Sequence, residues 1–270
     1  MECLDFAWGR NLKMVNEELY SIRLATCGDV EDIYAIKKQS FSKYLPYTIY
    51  QSPLSINYLR ELIRQGTKTD TLFVICRGSE ILGYYHGAFH GADFFLNYIA
   101  VRSDMRGQGL GEILLKHYES VARTYGCKWM VLDVFATNQN AWNWYLKHEY
   151  QPSACSFIVC LDLHALCDAG DLCLTWTSAD WSAARQQEST RGFSKIEAVC
   201  GEGQLTIGLI ADHICKLLHY EDISLELAVS AIAHKFRGKR DFLVVPSLST
   251  VPLEWPILSS EKIVSLRKMV

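Results

Sequence analysis

At 270 residues the chain has room for one large domain or two small ones. An apolar share of 49% against 21% charged residues excludes a disordered chain. A formal net charge of −3 with no long basic run leaves nucleic-acid and acidic-membrane binding without electrostatic support. No apolar run approaches membrane-spanning length, and the first twenty residues carry Asp5, Glu17 and Glu18 rather than a sustained apolar stretch, so a cytoplasmic protein is expected. The ten cysteines form no Cys-x-x-Cys pair, and several lie inside apolar runs, as Cys76 does. They read as reduced, mostly buried thiols, with a disulfide framework as the lesser alternative.

The first half alternates between helix and strand signals. Ile22 to Thr26 is strand-like, and Asp29 is placed to cap a helix carrying Val30, Ile33, Tyr34 and Ile36. Pro46 and Pro53 flank an aromatic loop with Tyr44, Tyr47 and Tyr50, and Ile56 to Ile63 predicts a short second helix. Three strands follow as a meander, Leu72 to Cys76, Ile81 to Phe89 and Phe94 to Val101, with turns at Gly78-Ser79 and Gly91-Ala92-Asp93. Next stands Arg106-Gly107-Gln108-Gly109-Leu110-Gly111, and then apolar residues at helical spacing (Leu110, Ile113, Leu114, Val121, Tyr125) up to a stop at Gly126. A strand Trp129 to Phe135, a helix Ala141 to His148 and a strand Ser156 to Leu163 complete this half. The order predicts an α+β fold, a mixed and largely antiparallel sheet with helices on both faces.

The second half is less regular. Asp168 to Asp171 reads as a linker, followed by Leu172 to Trp176, a polar stretch Ser178 to Arg191, and strand-like runs Ile196 to Val199, Leu205 to Ile210 and Ile214 to Leu218. A helix carries Leu225, Val229, Ile232 and Phe236 on one stripe, Gly238 ends it, and Asp241 to Val245 reads as a buried strand. Both halves thus contain strand, helix, glycine stop and apolar strand. The expected division is 1–165 and 166–270, the second part either a degenerate repeat of the first or an unrelated α+β appendage.

A strand that empties through a glycine turn into a helix suits a phosphate. The first helical N–H groups lack partners within the helix, the macrodipole adds positive potential, and glycine lets the backbone come close. The spacing matches neither a P-loop nor a dinucleotide fingerprint. With its flanks, however, it resembles the GNAT superfamily of acyl-CoA N-acyltransferases, whose signature is Arg/Gln-x-x-Gly-x-Gly/Ala. Arg106, Gly109 and Gly111 match it, Asn97 to Val101 resembles the family's central strand, and Asn138, Ala141, Tyr145 and Tyr150 resemble its second signature. The resemblance spans roughly residues 20 to 163; a degenerate GNAT-like repeat in tandem is the favoured reading of the rest of the chain, with an unrelated α+β appendage as its alternative.

The resemblance implies an enzyme that transfers an acetyl or other acyl group from acyl-CoA, with acetyl-CoA as co-substrate, to a small-molecule or peptide amine. The alternative is a non-catalytic acyl-CoA-binding or regulatory protein that kept the fold. Arg106, Gly107, Gln108, Gly109, Leu110 and Gly111 would hold the pyrophosphate. The central strand would splay from its neighbour after Ile99 to Val101, freeing backbone groups of Ile99, Ala100 and Val101 for the pantetheine arm. Asn138 would bond that arm or cap a helix, and Tyr145 would protonate the leaving thiolate or pack in the core. No acid lies in Phe94 to Val101 to serve as the base. Asp133 is the named candidate, with sheet pairing as its alternative role, and His86 and His90 are further ones. No metal is expected. The second half would bury surface, shape the acceptor cleft or make dimer contacts.

Overall fold

The computed structural model describes residues 11–15, 18–66, 69–166, 176–177, 180–236, 238–252 and 254–270. The expected linker and the run Leu172 to Thr175 lie outside them. In chain order the elements are β1 (Asn11–Val15), β2 (Glu18–Leu24), α1 (Val30–Phe41), 3-10 turns at Ser42–Tyr47 and Ile49–Gln51, α2 (Ser55–Gln65), β3 (Asp70–Arg77), β4 (Glu80–His90), β5 (Asp93–Val101), α3 (Leu110–Thr124), β6 (Trp129–Phe135), α4 (Gln139–Lys147) and β7 (Gln151–Asp162). There follow β8 (Trp176–Thr177), α5 (Trp181–Arg191), β9 (Phe193–Cys200), β10 (Gly203–Ile210), β11 (Ile214–Glu221), α6 (Leu225–Phe236), β12 (Phe242–Leu248) and β13 (Ile257–Met269).

The thirteen strands of the described residues join one sheet, in the order β1-β2-β3-β4-β5-β6-β13-β7-β12-β11-β10-β9-β8. Pairing is antiparallel except between β5 and β6 and between β11 and β12. Read inward from either side, past β1 and β2 on one edge and β8 on the other, the sheet repeats itself: a three-stranded meander, a parallel neighbour reached through a helix, then a long central strand. The long strands are exchanged. β7 follows the first half in sequence but pairs with β12 of the second, while β13 ends the chain and pairs with β6 of the first. The two also pair with each other from Ile257↔Leu161 to Arg267↔Gln151.

Alternation along the strands sorts the side chains into opposed cores. On one face of the first half Phe73, Leu82, Phe94, Leu96, Leu132 and Val134 pack under α3 and α4, and β13 adds Val264 and Leu266. On the other face Leu72, Val74, Ile81, Tyr84 and Ala100 pack under α1 and α2. In the second half α5 and α6 cover Ile196, Leu205, Ile207, Cys215, Leu217 and Leu243. A smaller cluster of Ile158, Ile210, Ile214 and Val244 receives Ile49 from the first half's 3-10 turn. Asn57 Nδ2 to Thr190 O (2.9 Å) and Arg191 Nη1 to Glu61 Oε2 (2.7 Å) tie α2 to α5.

Three sequence readings change. Asp29 stands at the N-terminus of α1 but does not cap it; its carboxylate accepts from Arg23 at 2.6 and 2.8 Å and from the Thr26 N–H at 2.7 Å. The polar stretch 181–191 is a helix. Its buried Glu188 meets buried Arg240 through Nη1–Oε1 (2.8 Å) and Nη2–Oε2 (2.5 Å), while Nη1 also donates to Ile214 O and Glu188 Oε1 accepts from the Asp212 N–H. The C-terminal segment, read as no element, is the strand β13. Removing one member of a buried, fully bonded ion pair strands its partner's charge, so Glu188→Ala is expected to cost about 3–5 kcal/mol in urea unfolding. A loss below ~1 kcal/mol would mean that water satisfies Arg240 in the variant.

Candidate active site

The central strand β5 is re-aimed by a bulge. Against β4 the register runs His86↔Tyr98 and then Gly87↔Leu96, which leaves Asn97 as an extra residue on β5. Against β6 the pairing stops at Leu96↔Leu132. From Asn97 to Val101 the strand therefore runs apart from β6. This gap opens three residues earlier than the family resemblance implied, because the bulge turns the strand before Ile99. Ile99 and Val101 pack toward α3 and α4. Ala100 and Tyr98 pack toward α1 and α2.

The glycine turn lies beyond the end of β5. Gly107 and Gly109 have φ of +78° and +81°, left-handed values that glycine adopts without strain. Gly109 occupies the N-cap of α3 and supplies no capping side chain. The first bond of the helix runs from Ile113 N to Gly109 O at 3.1 Å, so the N–H groups of Leu110, Gly111 and Glu112 precede the helical ladder. An ideal β-carbon on Gly111 would lie 3.6 Å from the Trp144 ring, so α4 closes on the turn here. Gln108 Nε2 is turned back to Met105 Sδ. Arg106 does not point into the turn: Nε donates to Val101 O (3.2 Å) and Nη2 to Ser40 Oγ (3.0 Å), which fastens the end of β5 to α1.

Tyr145 is buried on α4 within the core that includes Ile99 and Val101. Burial pushes its phenol up, which keeps it protonated and able to donate. Asn138 caps α4, its Oδ1 accepting from the Ala141 N–H at 3.3 Å; its amide NH2 remains to reach a ligand. The structure does not bring Asp133 to Tyr145. Leu132 and Val134 face the Tyr145 core, so Asp133 between them faces the other way. There it is exposed and accepts from Ser265 Oγ of β13 at 2.6 Å.

On that other face a cavity of about 430 Å³ extends from Asn97 and Tyr98 to Tyr50, Tyr58, Asp70, His86, His90 and Lys216. His86 is buried, and its Nε2 lies 3.0 Å from Asp70 Oδ1. Its Nδ1 is buried with no partner. With Nε2–H donated to the carboxylate, Nδ1 carries the free lone pair. Burial, partly offset by Asp70 and reinforced by Lys37, holds the imidazole below its ordinary pKa and thus neutral. Of the aromatic loop, Tyr50 lines the cavity, and Tyr44 stacks on Phe135 at 4.1 Å between ring centroids.

Lys37 of α1 packs against Tyr50 and Tyr98 of this lining and had no sequence reading. It is fully buried, its Nζ has no hydrogen-bond partner, and it sits 3.4 Å from the Tyr98 ring centroid and 3.5 Å from that of Tyr50. Its position on the stripe of Ile33 and Ile36 was the available signal, because a residue at i+4 from Ile33 faces the sheet. Asp70 and Lys216 likewise had no sequence reading, since only the tertiary fold brings β3 and β11 to one cavity. Among the described residues no group of His, Cys, Asp and Glu is arranged to hold a metal, and no helix is long and apolar enough to cross a membrane.

Residues 30–150 match the family model described as Acetyltransferase (GNAT) family. They form a GNAT acetyltransferase domain. The tandem extends over the rest of the chain. A tandem GNAT protein from the clavulanic acid biosynthesis pathway superposes with a TM-score of 0.64, 12% identity, and coverage of 93% of this chain and 98% of that one. A candidate acetyltransferase from Pyrococcus horikoshii gives 0.62 at 12% identity, covering 93% and 89%. A GCN5-related N-acetyltransferase from Kribbella flavida gives 0.53 at 11% identity, covering 93% and 71%. No curated protein sequence matches the chain significantly. At these identities the structural likenesses establish the GNAT fold in tandem.

Lys37 sets a stability test. In the unfolded chain it keeps its proton up to its ordinary pKa of 10.5, whereas burial pushes it well down in the fold. Between those values the unfolded chain binds more protons, so this residue makes stability climb as pH rises. Lys37→Met removes the buried amine and keeps the length of the side chain. It is expected to raise the melting temperature by ~2 °C or more at pH 7, and the gain should shrink when the comparison is repeated at pH 9.5. A variant that melts lower at both pH values would show that the cation–aromatic contacts outweigh desolvation.

Proposed function

We propose that the protein is an acyl-CoA-dependent N-acyltransferase, with acetyl-CoA or another acyl-CoA as co-substrate and a small-molecule or peptide amine as acceptor. The observation that carries this reading is the α3 N-terminus, uncapped by a side chain, at the end of a strand already parted from its neighbour. The N–H groups of Leu110, Gly111 and Glu112 suit a pyrophosphate. The edge of β5 from Asn97 to Val101 is free of β6 and suits an extended pantetheine arm, with Asn138 at the start of α4 beside it.

The two faces of the gap divide the proton work. The acceptor amine enters from the cavity, its nitrogen attacks the thioester carbonyl carbon, and its proton passes to His86 Nδ1, which Asp70 orients through Nε2. The carbon–sulfur bond breaks toward α4, where Tyr145 gives its phenolic proton to the leaving thiolate. We assign the base to His86 rather than to Asp133, whose carboxylate is bonded to Ser265 and does not line the cavity.

Catalysis is assigned to residues 1–165. The second half keeps the framework of a GNAT half but offers no acyl-CoA site. Its turn before α6 has no glycine; Ser224 Oγ accepts from the Leu227 N–H at 3.2 Å, and Ile223 fills the space over Gly203, where a β-carbon would come within 2.4 Å of it.

His86→Asn and Tyr145→Phe are each expected to lower turnover about 10²-fold, the scale of a lost proton-transfer group, with acetyl-CoA affinity by calorimetry unchanged. In the wild type the acid limb of the pH–rate profile should fall below the ordinary imidazole pKa of 6.5, because the base is active only when neutral and burial lowers its pKa. Full turnover in both variants, measured where chemistry limits the rate, contradicts the assignment.

A further inference from the structure

The cavity beside the gap is built from both halves. Tyr50, Tyr58, Asp70, His86 and Tyr98 come from the first half, and Lys216 comes from β11 of the second. Strand alternation explains why Lys216 reaches it. Cys215 and Leu217 point into the core under α6, while Ile214 and Lys216 point to the opposite face, where Ile49 packs from the first half. Lys216 is also the last residue of β11 paired with β12, facing Val244, so it stands where the second half's own strands begin to part.

We propose that the acceptor is an amine that also carries an anionic group, a carboxylate or a phosphate, and that Lys216 receives that group. This rests on the acyltransferase reading above. The cavity has the required polarity. His86 and Asp70 offer an acceptor for the amine's proton and a negative charge for an incoming ammonium. Tyr50, Tyr58 and Tyr98 add aromatic rings to the lining that suit a hydrocarbon or aromatic spacer. The second half contributes the half-buried Lys216, whose ammonium burial pushes down to about 8. A bound anion would favour the charged form of that ammonium, opposing the effect of burial. A purely cationic acceptor would place like charges at Lys216, and a neutral one would draw no attraction from it. At about 430 Å³ the cavity is sized for a small metabolite or for a terminal residue of a peptide. The second half thereby determines specificity in a reaction catalysed by the first.

The test uses the full chain with acetyl-CoA and four acceptors of matched length: butylamine, 1,4-diaminobutane, 4-aminobutyrate and 3-aminopropyl phosphate. Thiol release gives kcat/KM for each. The two anionic amines are expected to exceed butylamine by about tenfold or more, the scale of one charge-assisted hydrogen bond, and the ratio between them tells carboxylate from phosphate. In Lys216→Gln the anionic-to-neutral ratio should fall to near one at unchanged acetyl-CoA affinity, and Lys216→Arg should keep the preference. An unchanged ratio in Lys216→Gln, or a wild type that favours butylamine or the diamine, overturns the proposal. If the wild type acylates none of the four, equilibrium dialysis of radiolabelled 4-aminobutyrate and 3-aminopropyl phosphate decides separately. Binding that Lys216→Gln abolishes upholds the anion site while the acyltransferase reading fails, and no binding to the wild type overturns both.

Discussion

The exchange of β7 and β13 is the constraint on which the rest of the molecule depends. β6 has no sheet partner of its own half beyond Leu132, and its whole length from Trp129 to Phe135 is paired instead by β13, the end of the chain. β12 is in the same position and takes β7. Backbone groups in a buried sheet must be bonded, and each half meets that demand only with a strand of the other. The core under α3 and α4 is closed in the same way by Val264 and Leu266, which the chain's far end supplies. The two halves are therefore continuous through their hydrogen bonds as well as their apolar contacts.

That continuity fixes the site. Because the halves share a sheet, the parted strands of both are held at a set spacing, and the 3-10 turn bearing Ile49 fits into the second half's apolar cluster. The halves use the same device differently. In the second, the β10–β11 register also slips, from Thr206↔His219 to Ile207↔Leu217, leaving Leu218 as the counterpart of the bulged Asn97. Yet its turn is closed by Ile223 and Ser224 where the first half presents Gly109 and bare N–H groups. The second half has kept the bulge and has no glycine in the turn before α6.

The fold was legible in the sequence where the signals are local. The meander, the glycine turn, and the stripes of α3 and α6 all follow from periodicity within a few residues, and comparing the halves offered the tandem architecture as one of two readings. The exchange was not legible, since nothing in Ile257–Met269 names its partner. Its buried residues Val264 and Leu266 are few, and Ser259, Ser260, Glu261 and Lys262 mask the alternation. α5 was hidden for a related reason: only Ala184 and Glu188 are buried in it, and the burial of Glu188 depends on Arg240, 52 positions away. At the site, the turn and Tyr145 were visible as motif residues. Asp70, Lys37 and Lys216 were not, because their meaning comes from what pairing and packing bring against them, and the early opening of the gap depended on a bulge with no sequence mark beyond Asn97.

Native-state hydrogen exchange on the full chain tests the central claim, that the exchanged strands make one cooperative unit. If β7 and β13 complete both halves, their amides, with those of β6 and β12, open only in the global unfolding event and share its free energy and denaturant dependence. Exchange of β13 through a separate, low-energy opening, with α3, β4 and β5 still protected at the global level, would contradict the account and show a first half able to stand alone.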